Sequence, residues 1–356
     1  MKKILFALMA IAALTITSCN HGNDPEPPVT PGDTTATYDH GIVISQAYQF
    51  NAEAVSENGL WAAGASTEAD VPAIWDVNKN VITIFEGNEG GALHAINNAG
   101  TAVGDNGDFA IIIKNNTVTD LYKGANDAGS SAYGITDDGS VIAGYYFDEA
   151  WSTKPCIWDA SGARHDLALP TENETGFAFS GGEARWISGD GSVIAGFLMD
   201  DYSTWPAVIW RKSGNDYVCE VICKDYFETD MGQGKPYMMF GSDAMALSHN
   251  GEWLTLVTQE EFDAFDFEAA PTPYKAARFN LKTKQLQVAD RVEAFYGISN
   301  DGTTVGCITD MMSGDRVGYI WKANDAQPTV FTDEYKYDEI ANRLHVRYPG
   351  VDFHPW

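Results

Sequence analysis

Apolar and polar residues alternate in short runs along most of this 356-residue chain, and six of the runs end in a similar phrase. Each phrase places Val, Ile or Leu four positions before a glycine, with mainly polar residues between them. The copies occupy residues 55–59, 96–100, 135–139, 187–191, 247–251 and 298–302. Their glycines lie 41, 39, 52, 60 and 51 residues apart. A period of roughly 40–50 residues built from short strands is typical of a β-propeller.

Each phrase predicts a tight hairpin, because Asn-Gly and Asp-Gly pairs accept the positive φ angles that such turns require. A second glycine follows four or five residues later in five copies, and the fifth copy has Leu256 there instead. These second glycines are Gly64, Gly104, Gly144, Gly196 and Gly306. Glycine within a strand indicates a bulge or the close approach of another backbone. We attribute it here to blades crowding around a central axis.

Two more strands complete each repeat. The first contains β-branched and aromatic residues and usually ends in Trp, as at 72–75, 155–158, 208–210 and 319–321, with weaker copies at 110–112 and 277–279. We expect this ring to pack between blades. The second reads as a strand at 81–85, 118–122 and 217–222.

With the strand that leads into the phrase, each repeat has four strands. The sequence therefore predicts an all-β, six-bladed β-propeller with four-stranded blades. A seventh blade remains open if the strand at 41–45 pairs with the C-terminal tail. A short C-terminal helix after Thr332 is also expected, because Tyr337, Ile340 and Leu344 share one helical face.

The phrase Ser-x-Asp-Gly-x-x-x-x-Gly, followed by an Ile-Trp strand, resembles the HAF-type extracellular repeat of bacterial proteins over about residues 40–330. This resemblance implies a propeller and says little about a ligand. The sialidase Asp-box is similar, but it has a residue between Asp and Gly. Asp and Gly are adjacent in this chain, so we do not expect sialidase chemistry.

The N-terminus resembles a bacterial lipoprotein signal. Residues 1–18 combine two lysines with a short apolar run, and the lipobox-like sequence Ile16-Thr17-Ser18-Cys19 makes Cys19 the expected lipidation site. Residues 19–37 are rich in Pro, Thr and Asp and predict a tether, and residues 38–356 form one propeller domain. We expect a lipid anchor in the outer membrane of a Gram-negative bacterium, with the domain exposed at the surface. An ordinary signal peptide with an incidental cysteine is the alternative.

The charge narrows the range of partners. The chain has 22 Lys and Arg against 50 Asp and Glu, a net charge of −28. Such a surface repels phosphate, so we expect no nucleic acid and no membrane contact beyond the anchor. Glycans, surface proteins and cationic partners stay open. We expect no cofactor, although Ca²⁺ remains a weak possibility. The alternative is that the charge only maintains solubility.

Loops between the second and third strands of each repeat should emerge on one face. From the third repeat onward they are long and rich in rings and carboxylates, a combination suited to sugars because rings stack on C–H faces and acids accept hydroxyl hydrogen bonds. The candidate ligand-binding residues are Tyr145, Tyr146, Trp151, Asp200, Asp201, Tyr202, Trp205, Phe265 and Asp266. The alternative is that these rings cover blade edges as ordinary core. The insertion at 224–243 follows a different strand, so we expect it on the opposite face.

These features favour a binding module for a glycan or a protein partner. The sequence contains no His-Glu-x-x-His, Gly-x-Ser-x-Gly or Walker motif, and we predict no catalytic residue. The rival is a glycan-active hydrolase or lyase with carboxylates in a central cleft, and a structural role is a third hypothesis. Close carboxylates with an Arg or Tyr would favour the enzyme, and a shallow surface of rings would favour the binder.

Overall fold

The computed structural model describes residues 50–67, 69–171, 179–199, 206–222, 237–239, 246–259, 274–289, 292, 294–309 and 316–330. Their strands form six four-stranded antiparallel sheets, each made of four strands that are consecutive in sequence. The fold is the predicted all-β, six-bladed propeller, with six blades rather than seven. No helix in the described part of the chain is long and apolar enough to cross a membrane. The predicted signal, tether, strand at 41–45 and C-terminal helix lie outside the described residues.

Blade 1 contains β1 (Phe50–Val55), β2 (Trp61–Ser66), β3 (Pro72–Asp76) and β4 (Val81–Ile84). Blade 2 contains β5 (Leu93–Ile96), β6 (Ala102–Asp105), β7 (Ala110–Lys114) and β8 (Thr117–Asp120). Blade 3 contains β9 (Gly129–Ile135), β10 (Val141–Phe147), β11 (Thr153–Asp159) and β12 (Arg164–Asp166). Blade 4 contains β13 (Gly181–Ile187), β14 (Val193–Met199), β15 (Ala207–Ser213) and β16 (Asp216–Val221). Blade 5 contains β17 (Tyr237–Met239), β18 (Trp253–Gln259), β19 (Tyr274–Asn280) and β20 (Gln285–Val288). Blade 6 contains β21 (Ala294–Ile298), β22 (Thr304–Thr309), β23 (Arg316–Trp321) and β24 (Thr329–Val330).

The first strand of each blade is the innermost, and the space that these strands surround is called the central channel below. Hairpins between the first and second strands, and between the third and fourth, lie at one end of the propeller, the turn face. Loops between the second and third strands lie at the other end, the loop face, together with the connections from blade to blade. Of the insertion at 224–243, the described part is Tyr237–Met239, which forms β17 of blade 5, and the rest lies outside the described residues. The expectation that this insertion lies on the opposite face therefore stays a prediction.

The repeated phrase forms the first hairpin of every blade. Its glycine has a positive φ in all six copies, between 68° and 87°. In blade 1 the Gly59 amide donates to the Ser56 carbonyl at 2.8 Å, and the Asn58 side chain accepts from the Leu60 amide at 3.0 Å. Asp138, Asp190, Asn250 and Asp301 make the equivalent bond in four other blades. The acidic or amide residue thus stabilises the turn as an acceptor, and the positive φ falls on the glycine rather than on both central residues as we expected.

These hairpins also hydrogen-bond to one another. The Asn58 amide donates to the Asn98 side chain of blade 2 at 2.8 Å, and Asn250 of blade 5 bonds Asn300 of blade 6 at the same distance. Because residue 189 of blade 4 is glycine, a side-chain contact between blades 3 and 5 can cross over it. The His249 ring of blade 5 reaches Asp137 of blade 3 at 2.9 Å, and a Cβ on Gly189 would lie 2.3 Å from His249 Nε2.

The Trp residues of the third strand pack between blades, as predicted. Trp158, Trp210 and Trp321 are almost fully buried, and each packs with residues of the preceding blade. The Trp158 indole donates to the Tyr122 carbonyl of blade 2 at 3.0 Å. The pairing places Ile113 and Phe279 at the same register position in the two weaker repeats. This row of large side chains fills the joints between blades and fixes their spacing.

Candidate functional site

Three of the predicted ligand-binding residues lie in the described part of the chain, all on blade 3. These are Tyr145 and Tyr146 of β10 and Trp151 of the loop that follows it. The other six predicted residues, Asp200, Asp201, Tyr202, Trp205, Phe265 and Asp266, lie outside the described residues. The candidate site on the loop face is therefore described from the residues of blade 3.

Trp151 presents its indole to solvent at the loop face. The residue is 69% exposed, and its φ of +62° is unusual for a bulky side chain. Asp148 holds this conformation, because its carbonyl accepts from the Trp151 amide at 2.9 Å and its side chain accepts from the amides of Ala150 and Ser152, each at 2.9 Å. These bonds, the one from Ser152 first, lower the pKa of Asp148. An exposed indole fixed in a costly backbone conformation is a sign of function.

A column of aromatic rings runs inward from Trp151. The ring centroids of Trp151 and Phe147 are 5.8 Å apart. Phe147 packs edge-on against Tyr145, with centroids 5.5 Å apart. Tyr145 stacks on Tyr133 of β9 at 5.7 Å, and Tyr133 stacks on His94 of β5 at 4.1 Å with an interplanar angle of 4°. Tyr145 is buried, so part of the predicted ring cluster is core, whereas Trp151 is not. The column connects the loop face with the central channel.

Tyr146 takes no part in this column. Its side chain lies on the opposite side of β10, where the Arg164 guanidinium stacks 3.5 Å from the ring centroid. Its hydroxyl donates to Asp166 at 3.3 Å. Burial, followed by the charge of Asp166, raises the pKa of Tyr146 to about 12. The alternating pleat of the strand separates Tyr145 from Tyr146, so the structure assigns them to different environments.

The central channel holds a group of side chains that sequence reasoning missed. The innermost strand of five blades carries a β-bulge, in which one extra residue lies between two residues that pair with the second strand. These residues, called the bulge ring below, are Glu53, His94, Tyr133, Arg185 and Tyr296. Bulges redirect a side chain and are frequent beside active sites. The same structural position thus carries an acid, a base, two phenols and a guanidinium.

The second glycine of the repeat makes room for each bulge. A Cβ on Gly64 would lie 1.9 Å from the Asn51 carbonyl oxygen, and one on Gly196 would lie 1.9 Å from that of Glu183. The equivalent contact is to the residue two positions before the bulge residue in all five blades. The glycine is therefore required by the neighbouring strand of its own blade, and our attribution to crowding between blades was wrong.

Four members of the bulge ring contact each other in blade order. His94 Nδ1 lies 2.5 Å from Glu53 Oε2 of blade 1, and the His94 ring stacks on Tyr133 of blade 3. The Arg185 guanidinium of blade 4 lies 4.8 Å from the centroid of the same Tyr133 ring. The Tyr133 ring therefore contacts His94 of the preceding blade and Arg185 of the following blade. Contact with the face of an aromatic ring favours the positive charge of both groups.

His94 lies between two carboxylates. Its Nε2 atom is 3.1 Å from Asp105 Oδ2, while Nδ1 faces Glu53. Burial alone lowers the pKa of His94, but the Tyr133 ring and the two carboxylates raise it well above 6.5. Burial in turn raises the pKa of Asp105, and the bonds from His94, Ser131 and Gly107 outweigh it, so the net direction is downward. The geometry describes an imidazolium shared by two carboxylates.

A buried ion pair completes this side of the channel. Arg185 Nε donates to Glu183 Oε2 at 2.8 Å. Burial of the Glu183 carboxyl raises its pKa, although Arg185 opposes the shift. Burial lowers the pKa of Arg185, but Glu183, Tyr133 and Tyr145 together raise it by more, so the guanidinium stays charged.

This arrangement binds polar groups more readily than it activates a nucleophile. The Ser131 hydroxyl donates to Asp105 Oδ2 at 2.7 Å rather than to the His94 ring, so these three residues do not form a nucleophile–base–acid relay. Both His94 nitrogens face carboxylates, which leaves the ring as a donor. Among the described residues no group of three or more His, Cys, Asp or Glu is placed to hold a metal ion.

Comparison with known proteins identifies no family for this chain. No family model matches the sequence, and no curated protein matches it. The HAF-type resemblance therefore stays a prediction.

Similar solved structures include TolB from Acinetobacter baumannii (13% identity, TM-score 0.42, covering 78% of this chain and 53% of that one). They also include dipeptidyl peptidase 4 from Porphyromonas gingivalis (13%, 0.49, 78% and 45%) and a putative TolB from Agrobacterium tumefaciens (15%, 0.46, 78% and 92%). The chain spans about half the length of the first two structures. Similarity at this level supports no conclusion about function.

Proposed function

We propose that this protein is a binding module that captures a glycan at its loop face. The observation that carries the proposal is Trp151, an exposed indole held at a positive φ by the Asp148 turn. An aromatic plate fixed in place loses little conformational entropy on binding, and its face suits the C–H face of a sugar ring. The conformation itself costs about 1–3 kcal/mol, which a surface with no ligand has no reason to retain.

The channel supplies the polar half of such a site. The ring column leads from Trp151 to the bulge ring, where carboxylates accept and cationic nitrogens donate hydrogen bonds. Sugar hydroxyls need both functions within a few ångströms of a stacking surface. A glycan that stacks on Trp151 and extends toward the bulge ring would meet both.

We also propose that the module is attached to the outer membrane through a lipid on Cys19. The sequence Ile16-Thr17-Ser18-Cys19 and the Pro-rich tether support this proposal. Cells that produce the protein would be fed an alkyne fatty acid, and the purified chain would be examined by mass spectrometry. The label should be absent from a Cys19→Ser variant, and label retained in that variant would contradict the proposal.

Binding is tested with purified residues 38–356 on a glycan array, followed by titration of any hit in solution. We expect Trp151→Ala to weaken binding about tenfold or more, because a stacked ring is a typical hot spot. Tyr122→Ala is the matched control, since Tyr122 is also an exposed ring (56%) but lies at the outer edge of the propeller. Equal binding by both variants, or no glycan bound by the parent protein, would rule the proposal out.

A glycan-active hydrolase or lyase is the second candidate, and one observation favours it. Glu53 and Asp105 lie on either side of His94, beside Tyr133, so the channel holds close carboxylates with a phenol. Each glycan that binds would be incubated with the protein and assayed for new reducing ends and for unsaturated products. Activity lost in Asp105→Asn would establish the enzyme, whereas binding without turnover would establish the module.

A further inference from the structure

We propose that the bulge ring selects a sugar that carries a protonated amine, an inference that rests on the glycan-binding function proposed above. The site lies at the inner end of the ring column, at the opposite end from Trp151. Its ligand class follows from which charges face the channel and which are already paired.

The accessible charge of the bulge ring is negative. The Glu53 side chain is 35% exposed, whereas those of His94 and Arg185 are 13% and 15% exposed. The two cationic groups turn toward the Tyr133 ring and toward their carboxylates. An incoming group therefore meets the carboxylate of Glu53 before it meets either cation.

The charges of the cluster do not cancel. Arg185 and Glu183 form a pair with no net charge. His94 provides one positive charge for two carboxylates, Glu53 and Asp105, which leaves one negative charge. A protonated amine would neutralise that charge and donate hydrogen bonds to it, and an acetylated amine could do neither.

The charge of the whole chain acts in the same direction. With 50 acidic against 22 basic residues, the net potential around the protein is negative. Such a potential concentrates cationic ligands and disfavours acidic sugars. The flanking rings of Tyr133, Phe147 and Trp151 add faces that a cation also prefers.

Oligosaccharides of glucosamine and of N-acetylglucosamine of equal length give a direct test, because the nitrogen of each sugar is a protonated amine in the first and a neutral acetamide in the second. Titrations at mildly acidic pH should show binding of the glucosamine oligomer to the parent protein about tenfold tighter. The preference should shrink as salt is added, because the Glu53 carboxylate is partly exposed.

Two variants locate the effect. Glu53→Gln should abolish the preference between the two oligomers, and Glu57→Gln, the same change at an exposed residue of the turn face, should retain it. Trp151→Ala should weaken binding of both oligomers alike. Circular dichroism and thermal unfolding would establish that each variant is folded.

Each other outcome contradicts the inference in a distinct way. Equal binding of the two oligomers would overturn it and leave the glycan-binding function standing. Tighter binding of an acidic oligosaccharide, such as one of galacturonic acid, would show that the cationic side of the ring makes the contact. Failure of every oligosaccharide to bind would overturn this inference and the proposed function together.

Discussion

The two ends of the propeller are built on opposite principles. At the turn face, six copies of one phrase form nearly the same hairpin, and hydrogen bonds such as those from Asn58 to Asn98 join neighbouring copies. At the loop face the segments differ in length and composition, and one of them presents Trp151 at a positive φ. Repetition therefore supplies the frame. The departures from it, in the loops and at the bulge positions, supply the chemistry.

The largest effect is expected where frame and chemistry meet. Gly196→Ala would place a Cβ 1.9 Å from the Glu183 carbonyl, beside the Arg185 bulge. We expect the free energy of unfolding to fall by about 3 kcal/mol or more, because the obstacle is backbone that cannot move aside. Urea unfolding would measure it. Gly214→Ala is the control: its φ is +65° but nothing lies within 4 Å, so about 1 kcal/mol is expected. Equal losses would contradict the bulge explanation.

The next effect tests the imidazolium of the bulge ring. The folded-state pKa of His94 is raised, so its contribution to stability is full below about 6.5, the ordinary value, and is lost as the pH rises through the folded-state value. We expect His94→Gln to cost about 2 kcal/mol at mildly acidic pH, as for hydrogen bonds to a charged group, and less at alkaline pH.

Urea unfolding of the parent protein and of His94→Gln across this pH range provides the measurement. His165→Gln is the control, since His165 pairs with Asp159 on an exposed outer strand. A cost for His94→Gln that does not change with pH would show that His94 is neutral in the folded protein.

A smaller effect is expected at the turn face. His249→Ala removes the contact with Asp137 that links blades 3 and 5 across Gly189. Both side chains are partly exposed, so we expect a loss of about 0.5 kcal/mol that decreases in high salt. A double-mutant cycle with Asp137→Asn would isolate the pair. A coupling energy of zero would show that the hairpin contacts alone hold these blades in register.

The smallest effect has the opposite sign. Trp151→Gly relieves the positive φ at the loop face, and we expect the free energy of unfolding to change by less than about 1 kcal/mol, toward greater stability. Ligand binding should be lost in the same variant. A marked loss of stability would mean that the indole belongs to the frame, and the contrast between the two faces would fail there.

The frame could be predicted from the sequence because its signals are local. Asx-Gly turns, β-branched strands and the Trp of four of the six third strands specify hairpins and the joints between blades without long-range information. The position of the Trp151 ring in a loop after the second strand was also predictable, whereas its part in ligand binding stays a prediction.

The bulge ring was not predicted. In Leu93-His94-Ala95 the residues alternate as in any strand, and only the pairing with β6 shows that His94 is the extra residue of a bulge. A usable signal was nevertheless present: in all five blades the bulge residue stands six positions before the first glycine of the phrase.

That constant offset has an evolutionary consequence. The bulge residue lies between two ladder pairs, so its side chain can be exchanged while the backbone hydrogen bonds of those pairs stay in place. A duplicated blade therefore adds one more residue position in the channel at which a substitution can introduce a new functional group. In five blades this position is occupied by Glu53, His94, Tyr133, Arg185 and Tyr296. Within such a scaffold, new specificities require neither a new fold nor a new loop, only a substitution at one codon per repeat.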